Sequence, residues 1–419
     1  MPDKPDPAVR RLMLFFAVVY TVEGIGQAKV GVVWQPLTWF LKQVHGWTAL
    51  QVSAGLAVLD LPWIVKPLYG AISDFLPLFG YRRRSYLLLA NAAAVAAFVW
   101  VAQERAPAAI VFALLLTSVA MAVSSTLCGA LLVENGQRYG SNGAFVNQQW
   151  LWFNVALVLA SLLGGALVQL LPPAGALHAA ALAAAVAPLA VLAGLALVHE
   201  QPAKLDPAAL KRTAGAFVAA FRTRTLWLVA GFLFCYYFSP GFGTPLYFTM
   251  TDRLGFSQAF IGALSSVNAL GWIAGGLLYR WALVRMPTGP LLRLSIACGV
   301  ASTLAYLGLV DPASAVLVYF AGGVAGMIAN IATLTLAAEH CPAGAEGFAF
   351  AGLMSVINLA TPLSDTTGSF LYEHVFHHAL APLIVLSAAF TGFVLVLMRL
   401  FGIARDTAAA EAIPGPSGE

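Results

Sequence analysis

Residues 62–70 read Pro-Trp-Ile-Val-Lys-Pro-Leu-Tyr-Gly, and they are followed by Asp74 and by the turn Tyr-Arg-Arg-Arg at 81–84. This stretch places Lys66 inside an apolar run that ends at an acid and a cluster of arginines. Because a charge within a bilayer is costly, a lysine in such a run is a candidate functional residue. Arginines concentrated in a short loop indicate that the loop faces the cytoplasm.

The composition predicts an integral membrane protein. Of the 419 residues, 60% are hydrophobic and only 10% are charged, whereas about a quarter of a soluble domain is charged. About twelve apolar runs reach the ~20 residues that a helix needs to cross a bilayer. The predicted spans lie near 11–42, 48–71, 85–103, 107–134, 142–171, 175–198, 224–251, 257–282, 289–309, 313–339, 345–375 and 379–402.

The distribution of basic residues orients these spans. With both termini in the cytoplasm, only Lys42, Arg105 and Arg253 of the 22 lysines and arginines fall in outside loops, as the positive-inside rule requires. We therefore expect a monomer in the bacterial inner membrane, surrounded by lipid, with both termini cytoplasmic. The net charge of +4 follows from this topology and does not indicate a nucleic-acid partner.

The longest hydrophilic interruption divides the chain into two halves. We expect a six-helix bundle at 1–198, a second at 224–402, and a disordered cytoplasmic tail at 403–419. The cytoplasmic linker at 199–223 contains a candidate amphipathic helix at 205–221. The halves align at an offset of 209 positions, through the pairs Pro36/Pro245, Leu37/Leu246, Gly46/Gly255, Trp63/Trp272 and Ile64/Ile273.

This parallel repeat predicts an all-α membrane protein of twelve transmembrane helices in two pseudo-symmetric six-helix bundles. That architecture is similar to the major facilitator fold, in which the substrate site lies between the halves near mid-membrane. The charges do not repeat with the scaffold, as three aligned pairs show: Glu23/Phe232, Asp60/Ala269 and Lys66/Gly275. The first half is therefore expected to carry most of the ion chemistry.

Two motifs indicate a narrower family. The loop Gly70-x-x-x-Asp74 followed by Gly80-x-Arg82-Arg83 resembles the loop motif of the major facilitator superfamily. The whole run 62–83 is similar to the signature of the folate–biopterin transporter family. Cys-Pro-Ala-Gly-Ala-Glu at 341–346, followed by Phe-Ala-Gly-Leu-Met-Ser-Val-Ile-Asn-Leu at 350–359, also resembles that family. One departure lies at 129–134, where Gly-Ala-Leu-Leu-Val-Glu replaces the family's Asp-Ala-Leu-Val-x-Glu.

The candidate substrate site combines a cation with amides and aromatic rings. Lys66 is the candidate partner of a substrate anion, because intramembrane charges usually mark substrate or ion pathways. Amides beside tryptophans suit a flat heteroaromatic ligand, although ordinary interhelical packing remains an equal alternative. The predicted substrate-binding residues are Lys66, Lys29, Gln148, Gln149, Trp152, Asn154 and Asn358.

Three intramembrane acids are candidates for proton coupling: Glu23, Asp60 and Asp365. A buried carboxyl group is cheaper neutral than charged, so such a group can load and release a proton. For Glu23 the alternative is a static ion pair with Lys29 or Lys66. For Asp60 a structural pairing is the alternative to coupling.

A cytoplasmic gate is predicted around Asp74, which can stabilise the outward-facing state by facing cationic groups or a helix N-terminus of the other half. The other predicted members of this network are Arg82, Arg83, Glu134 and Glu346. For the arginines, the alternative is a role in topology alone.

Enzymatic and metal-dependent functions are not indicated. The four cysteines lack CxxC spacing, and Glu-His-x-x-His-His at 373–378 lacks the order of a zinc-protease motif. No nucleotide-binding loop or cofactor site is recognisable, which argues against an ATP-driven pump.

We therefore expect a secondary transporter that moves a folate- or pterin-like anion by alternating access, coupled to protons. A permease for a siderophore-like or nucleoside-like solute is one alternative. A non-transporting membrane factor for assembly or pigment delivery is the other.

Overall fold

The computed structural model describes residues 7–139, 141–198, 222–341 and 346–400, together with the single positions 200, 202 and 215. The regular secondary structure of these residues is helical, apart from one isolated bridge between Leu78 and Tyr81. The predicted tail, and the predicted amphipathic helix of the linker except for one position, lie outside the described residues. The chain divides into a first unit, residues 1–213 with 256–266, and a second unit, residues 214–255 with 267–419.

The helices follow one another in chain order. The helices before the linker are α1 (Pro7–Gly26), α2 (Trp34–His45), α3 (Ala49–Ile64), α4 (Lys66–Phe75), α5 (Arg84–Val101), α6 (Pro107–Tyr139), α7 (Asn142–Leu170) and α8 (Pro173–Gly194). The helices after it are α9 (Arg224–Tyr237), α10 (Gly243–Asp252), α11 (Gln258–Leu278), α12 (Thr288–Ala305), α13 (Pro312–Glu339), α14 (Glu346–Phe370) and α15 (Leu380–Leu400).

Within the described part of the chain, nine helical stretches are long and apolar enough to cross a membrane. They are Ala49–Phe75, Arg84–Val101, Pro107–Tyr139, Asn147–Leu170, Pro173–Leu197, Gln258–Leu283, Thr288–Gly308, Pro312–Glu339 and Leu380–Leu400. The predicted spans at 11–42, 224–251 and 345–375 are not among them. The first two are each divided into two shorter helices, and α14 carries polar side chains that include Asp365.

The break in each of these divided helices follows the predicted repeat. The helix after the break starts at Trp34 before the linker and at Gly243 after it, which is an offset of 209 positions. The next helices start at Ala49 and Gln258 with the same offset. The preceding turns both use a glycine with positive φ, 65° at Gly46 and 63° at Gly255, a conformation that glycine adopts without strain.

Each unit has its own apolar core. In the first unit, Phe16 and Tyr20 of α1 are fully buried among side chains of α5, α6, α7 and α8. The ring of Phe145 meets that of Phe16 edge-on at 5.1 Å. In the second unit, Phe232 of α9 and Leu292 of α12 lie in a cluster with α13, α14 and α15. These cores fix the backbone positions on which the polar side chains depend.

Candidate functional site

The break after α1 places Lys29 against α3. The chain folds back after Gly26, and Gly31 permits this turn because a Cβ there would clash with the carbonyl oxygen of Ile25. Lys29 Nζ lies 2.7 Å from Asp60 Oδ2, and both side chains are largely buried. This direct ion pair brings together a predicted substrate-binding residue and a predicted proton-coupling residue, and it favours the structural alternative for Asp60.

A hydroxyl group joins Glu23 to Lys66. Ser125 Oγ in α6 donates to Glu23 Oε1 across 3.0 Å and accepts a hydrogen bond from Lys66 Nζ across 3.1 Å. Gln27 Nε2 donates to the same carboxylate oxygen at 3.2 Å. Lys66 Nζ also lies 4.8 Å from the centre of the Trp63 ring, a favourable cation–π arrangement. The Ser125 hydroxyl therefore bridges the carboxylate of Glu23 and the ammonium of Lys66.

The other carboxylate oxygen of Glu23 has a different environment. Glu23 Oε2 is buried and has no hydrogen-bond partner among the described residues, and the same is true of Tyr20 Oη one turn earlier on α1. Leaving a buried oxygen of a carboxylate unsatisfied is costly. A proton on Glu23 would reduce this cost by removing the charge, so the geometry suits a group that alternates between charged and neutral forms.

The predicted cytoplasmic network converges on Arg83. Its Nη2 lies 2.6 Å from Asp74 Oδ1 and 2.9 Å from Glu134 Oε1, and its Nη1 donates to Ser73 Oγ. Arg83 is 5% exposed, so its charge is compensated mainly by these partners from α4 and α6. Arg82, by contrast, has an exposed side chain. The side chain of Glu346, at the start of α14, lies outside the described residues.

Glu200 closes the N-terminus of α5 in the same region. Its carboxylate accepts hydrogen bonds from three successive backbone amides, those of Arg82, Arg83 and Arg84, at 2.8, 2.9 and 2.8 Å. A carboxylate in this position satisfies amides that have no partner within the helix and interacts favourably with the helix dipole. Glu200 therefore fixes the backbone from which the Arg83 side chain extends.

The amides of α7 form local contacts. Trp152 Nε1 donates to Gln148 Oε1 at 2.6 Å, and Asn154 Nδ2 donates to the carbonyl oxygen of Trp150 at 2.7 Å. Both tryptophan side chains are exposed, whereas Gln149 is half-buried. These residues lie in one segment of α7. Hydrogen bonds within the helix are what we expect if these side chains serve ordinary packing and not ligand binding.

In the second unit, Asp365 lies where α14 meets the break between α9 and α10. The amide of Gly241 donates to the carbonyl oxygen of Ser364 at 3.0 Å, and a Cβ on Gly241 would lie 2.5 Å from Asp365 Oδ1. Asn358 is half-buried nearly two turns earlier on the same helix. The break in this unit is therefore fixed by backbone contact with α14 and not by a lysine like Lys29.

Tyrosine hydroxyls pair with neutral partners in the second unit. Tyr236 Oη lies 2.9 Å from Ser295 Oγ, and Tyr237 Oη lies 2.9 Å from Thr333 Oγ1. The centres of the Tyr306 and Phe242 rings lie 5.1 Å apart. Aromatic rings with hydroxyls suit an uncharged heterocycle, whereas the buried lysines lie in the first unit.

Ser125, Gln27 and Glu200 are absent from the sequence-based predictions. Ser125 stands in a Ser-Ser-Thr run within the apolar helix α6, a polar signal that could have indicated it. Gln27 is one turn from Glu23, so its contact was predictable from helical spacing. Glu200 had no such signal, because its contact with Arg83 spans 117 positions.

Known proteins resemble this chain along most of its length. The sequence profile of the BT1 family matches residues 26–409. The Folate-biopterin transporter of Synechocystis sp. is 29% identical over 381 residues, which cover 86% of this chain and 74% of the relative. Folate transporter 2 of Plasmodium falciparum is 23% identical over 368 residues, 84% of this chain and 79% of that protein.

Solved transporter structures share the fold. The nucleoside transporter NupG superposes with a TM-score of 0.70 at 16% identity, covering 96% of this chain and 99% of that one. A likeness at such low identity reports the helical fold and carries no information on the substrate.

Proposed function

The chain belongs to the BT1 family, the family of the folate–biopterin transporters, and we propose that it moves a small anionic heterocyclic solute of the folate or pterin class by alternating access. Family membership makes the chain a membrane transporter and not an enzyme. The finer proposal includes twelve transmembrane helices in two six-helix bundles. It also places both termini in the cytoplasm of a bacterium, with the protein monomeric in the inner membrane and coupled to protons.

One observation carries the proposed anion site, namely the difference between the two intramembrane lysines. Lys29 is in direct contact with the carboxylate of Asp60. Lys66 instead donates to a neutral hydroxyl and lies over the Trp63 ring. An ammonium group has three donors, so the Lys66 ammonium can bind an anion without breaking a direct ion pair. Lys66 is therefore our proposed anion-binding residue.

The folate or pterin class is supported by the names of two relatives and by side-chain chemistry. Both relatives are named as folate transporters, and a folate carries carboxylates and a flat heteroaromatic ring. We propose that Lys66 binds a carboxylate. The ring is proposed to contact the amide and aromatic side chains of α7 from the predicted set, which are Gln148, Gln149, Trp152 and Asn154.

Glu23 is the strongest candidate for the proton-coupling group. It lies beside Lys66 in the first unit, and its Oε2 is buried without a partner among the described residues. Asp60 already pairs with Lys29, and Asp365 lies against backbone in the second unit. Proton coupling through Glu23 therefore needs no ion pair to break.

The gate proposal centres on Asp74. Asp74 and Glu134 share the Arg83 guanidinium within the first unit. When a helix moves, the Arg83 guanidinium can keep its ion pair with one of these acids and lose the other. Arg83 is therefore proposed as the centre of the cytoplasmic gate.

The two alternatives are weaker. A non-transporting membrane factor is not favoured, because the relatives are named as transporters. A nucleoside permease is suggested only by the likeness to NupG, which concerns the fold. A siderophore-like solute finds no support among these relatives.

Ligand-dependent stabilisation of the purified protein tests the substrate class. A ligand that binds only the folded state raises the unfolding temperature in proportion to the logarithm of its concentration. We expect folate or a pterin to raise it for the wild type and not for Lys66→Ala, with nucleosides as negative controls. Stabilisation by nucleosides alone would overturn the proposed class.

A further inference from the structure

The hydroxyl of Ser125 lies between the side chains of Glu23 and Lys66. Without it, the flexible lysine side chain could form a direct ion pair with the acid. Ser125 is buried in α6, and its Oγ faces Glu23 Oε1 on one side and Lys66 Nζ on the other. A serine hydroxyl has one donor and two acceptor sites, and here the donor serves the acid and an acceptor serves the lysine. Both bonds are strengthened by charge while Glu23 is a carboxylate and Lys66 an ammonium.

Among the described residues, few other groups near Glu23 could compensate its negative charge. In the part of the chain that the structure describes, the titratable groups that interact electrostatically with Glu23 are Tyr20 on its own helix, Lys66 on α4 and Cys128 on α6. From α7, Phe153 and Ala156 approach α1 at Gly24. The buried α8 side chains packed in this core are apolar. Lys66 is therefore the cation that compensates Glu23.

We propose that Ser125 is a positioning residue that prevents Glu23 from closing a direct ion pair with Lys66 and so keeps the Lys66 ammonium available to the substrate anion. This inference rests on the proposed function of Lys66. An anion bound to Lys66 neutralises the charge that compensates Glu23. The carboxylate then takes up one proton, which the acid form of the buffer supplies through the solvent, and becomes a neutral acid, so anion binding and proton binding become linked at this site.

The consequence is a specific pattern of mutant effects. In Ser125→Ala the Lys66 side chain is free to pair directly with Glu23, and the acid then competes with the substrate. Coupling energies between linked sites typically change affinity by roughly 5–150-fold, so we expect folate affinity to fall by at least about 5-fold. Removing the competitor with Glu23→Gln should restore it.

Isothermal titration of folate into the detergent-purified full chain tests this pattern. The variants are Ser125→Ala, Ser125→Thr, Glu23→Gln and the double variant Ser125→Ala/Glu23→Gln. Ser124→Ala is the matched control, because the neighbouring Ser124 hydroxyl accepts from Asn91 and does not touch the pair. We expect Ser124→Ala and Ser125→Thr to bind like the wild type, and the double variant to bind like Glu23→Gln alone.

Two results would overturn the inference. One is equal affinity in Ser125→Ala and Ser124→Ala. The other is a loss in Ser125→Ala that persists unchanged when Glu23 is also replaced, which would indicate a packing role. Titrations in buffers of different ionisation enthalpy add a second readout, since the wild type should take up a proton with folate and Glu23→Gln should not.

A ligand-free measurement separates this inference from the substrate proposal. Reductive methylation of Lys66 with formaldehyde and a borane, followed by peptide mass spectrometry, reports how available the amine is. Ser125→Ala should slow methylation of Lys66 relative to Ser124→Ala, and Glu23→Gln should reverse that slowing. If folate fails to bind the wild type while this pattern holds, the substrate class is wrong and the role of Ser125 stands. If methylation is the same in all variants, the role of Ser125 is wrong.

Discussion

Lys29 and Asp60, 31 positions apart in the chain, form a direct ion pair of 2.7 Å that joins the break after α1 to α3. Their side chains are 23% and 17% exposed, so solvent screens the attraction between the two charges only in part. Lys66 and Glu23 in the same unit are separated by a hydroxyl instead. From this contrast we propose that the Lys29–Asp60 pair holds the helix break and that Lys66 binds the substrate anion.

Removing one member of the Lys29–Asp60 pair should destabilise the protein. Because the remaining charge would be largely buried, we expect Asp60→Leu to cost about 1–3 kcal/mol, somewhat less than breaking a fully buried pair. Lys29→Met/Asp60→Leu should recover most of that loss. Apparent unfolding temperatures in detergent, read by tryptophan fluorescence, provide the measurement, with the exposed Arg253→Met as the control. A double variant no more stable than Asp60→Leu would contradict a purely structural pair.

Replacing Asp74 by asparagine should shift the conformational equilibrium of the transporter. Asp74→Asn removes one of the two carboxylates on Arg83, a change worth about 1 kcal/mol for a partly exposed pair. We expect a roughly five-fold shift of the resting population toward the inward-open state, because the population ratio changes exponentially with free energy. Distances between spin labels on the proposed cytoplasmic ends of the two halves would report it, and Glu104→Gln in the turn between α5 and α6 is the control. An unchanged distance distribution with reduced transport would remove Asp74 from the gate.

Two glycines of α14 should respond in opposite ways to alanine. A Cβ on Gly368 would overlap the carbonyl oxygen of Gly241, whereas a Cβ on Gly352 has open space around it. Overpacking of this kind typically costs about 1–3 kcal/mol, so Gly368→Ala should lower the unfolding temperature. Gly352→Ala should leave it unchanged or raise it, since alanine restricts the unfolded chain more than glycine. Equal unfolding temperatures for the two variants would show that α14 moves away from the break at little cost.

The cap of α13 should give a small pH dependence of stability. Hydrogen bonds from the backbone amide and side chain of Ser314 hold the pKa of the Asp311 carboxyl below its ordinary value. Because the folded-state pKa is the lower one, the carboxylate stabilises the fold above the ordinary aspartate range. That contribution is lost as the pH falls through the folded-state pKa. Asp311→Asn, which retains a capping side chain, should be less sensitive to acid than the wild type in unfolding measurements between pH 6 and 3 (roughly the range of carboxyl titration). Identical acid sensitivity would contradict this role.

The sequence predicted backbone features that recur locally and missed contacts made over long distances. The offset of 209 positions is confirmed at the starts of α2 and α10 and at the turns of Gly46 and Gly255, because turn and cap residues act on their immediate neighbours. The long predicted span at 11–42 was wrong as one continuous helix. Apolar length alone does not show where the chain folds back, because the turn depends on one residue, Gly31, whose Cβ would clash with the backbone of Ile25 and Gln27.

The candidate site was predictable in its residue types and not in its pairings. Intramembrane charge indicated Glu23, Asp60 and Lys66, since such residues are rare in apolar helices. Which acid meets which lysine depends on how helices far apart in sequence pack together. The link from Lys66 to Ser125 spans 59 positions and that from Ser125 to Glu23 spans 102. No local pattern in a single sequence shows which of these distant residues will be in contact.

Solute counterflow in proteoliposomes tests most directly the claim that Lys66 binds the anion of a transported folate or pterin. Vesicles loaded with unlabelled folate and diluted into trace radiolabelled folate should accumulate label when they contain the wild type or Arg253→Gln. Vesicles containing Lys66→Gln at equal protein content should lose at least about 90% of that accumulation, the result of losing one charged contact worth at least ~1.4 kcal/mol. Counterflow by Lys66→Gln equal to the wild type, or a wild type that exchanges neither folate nor pterin, would contradict the account.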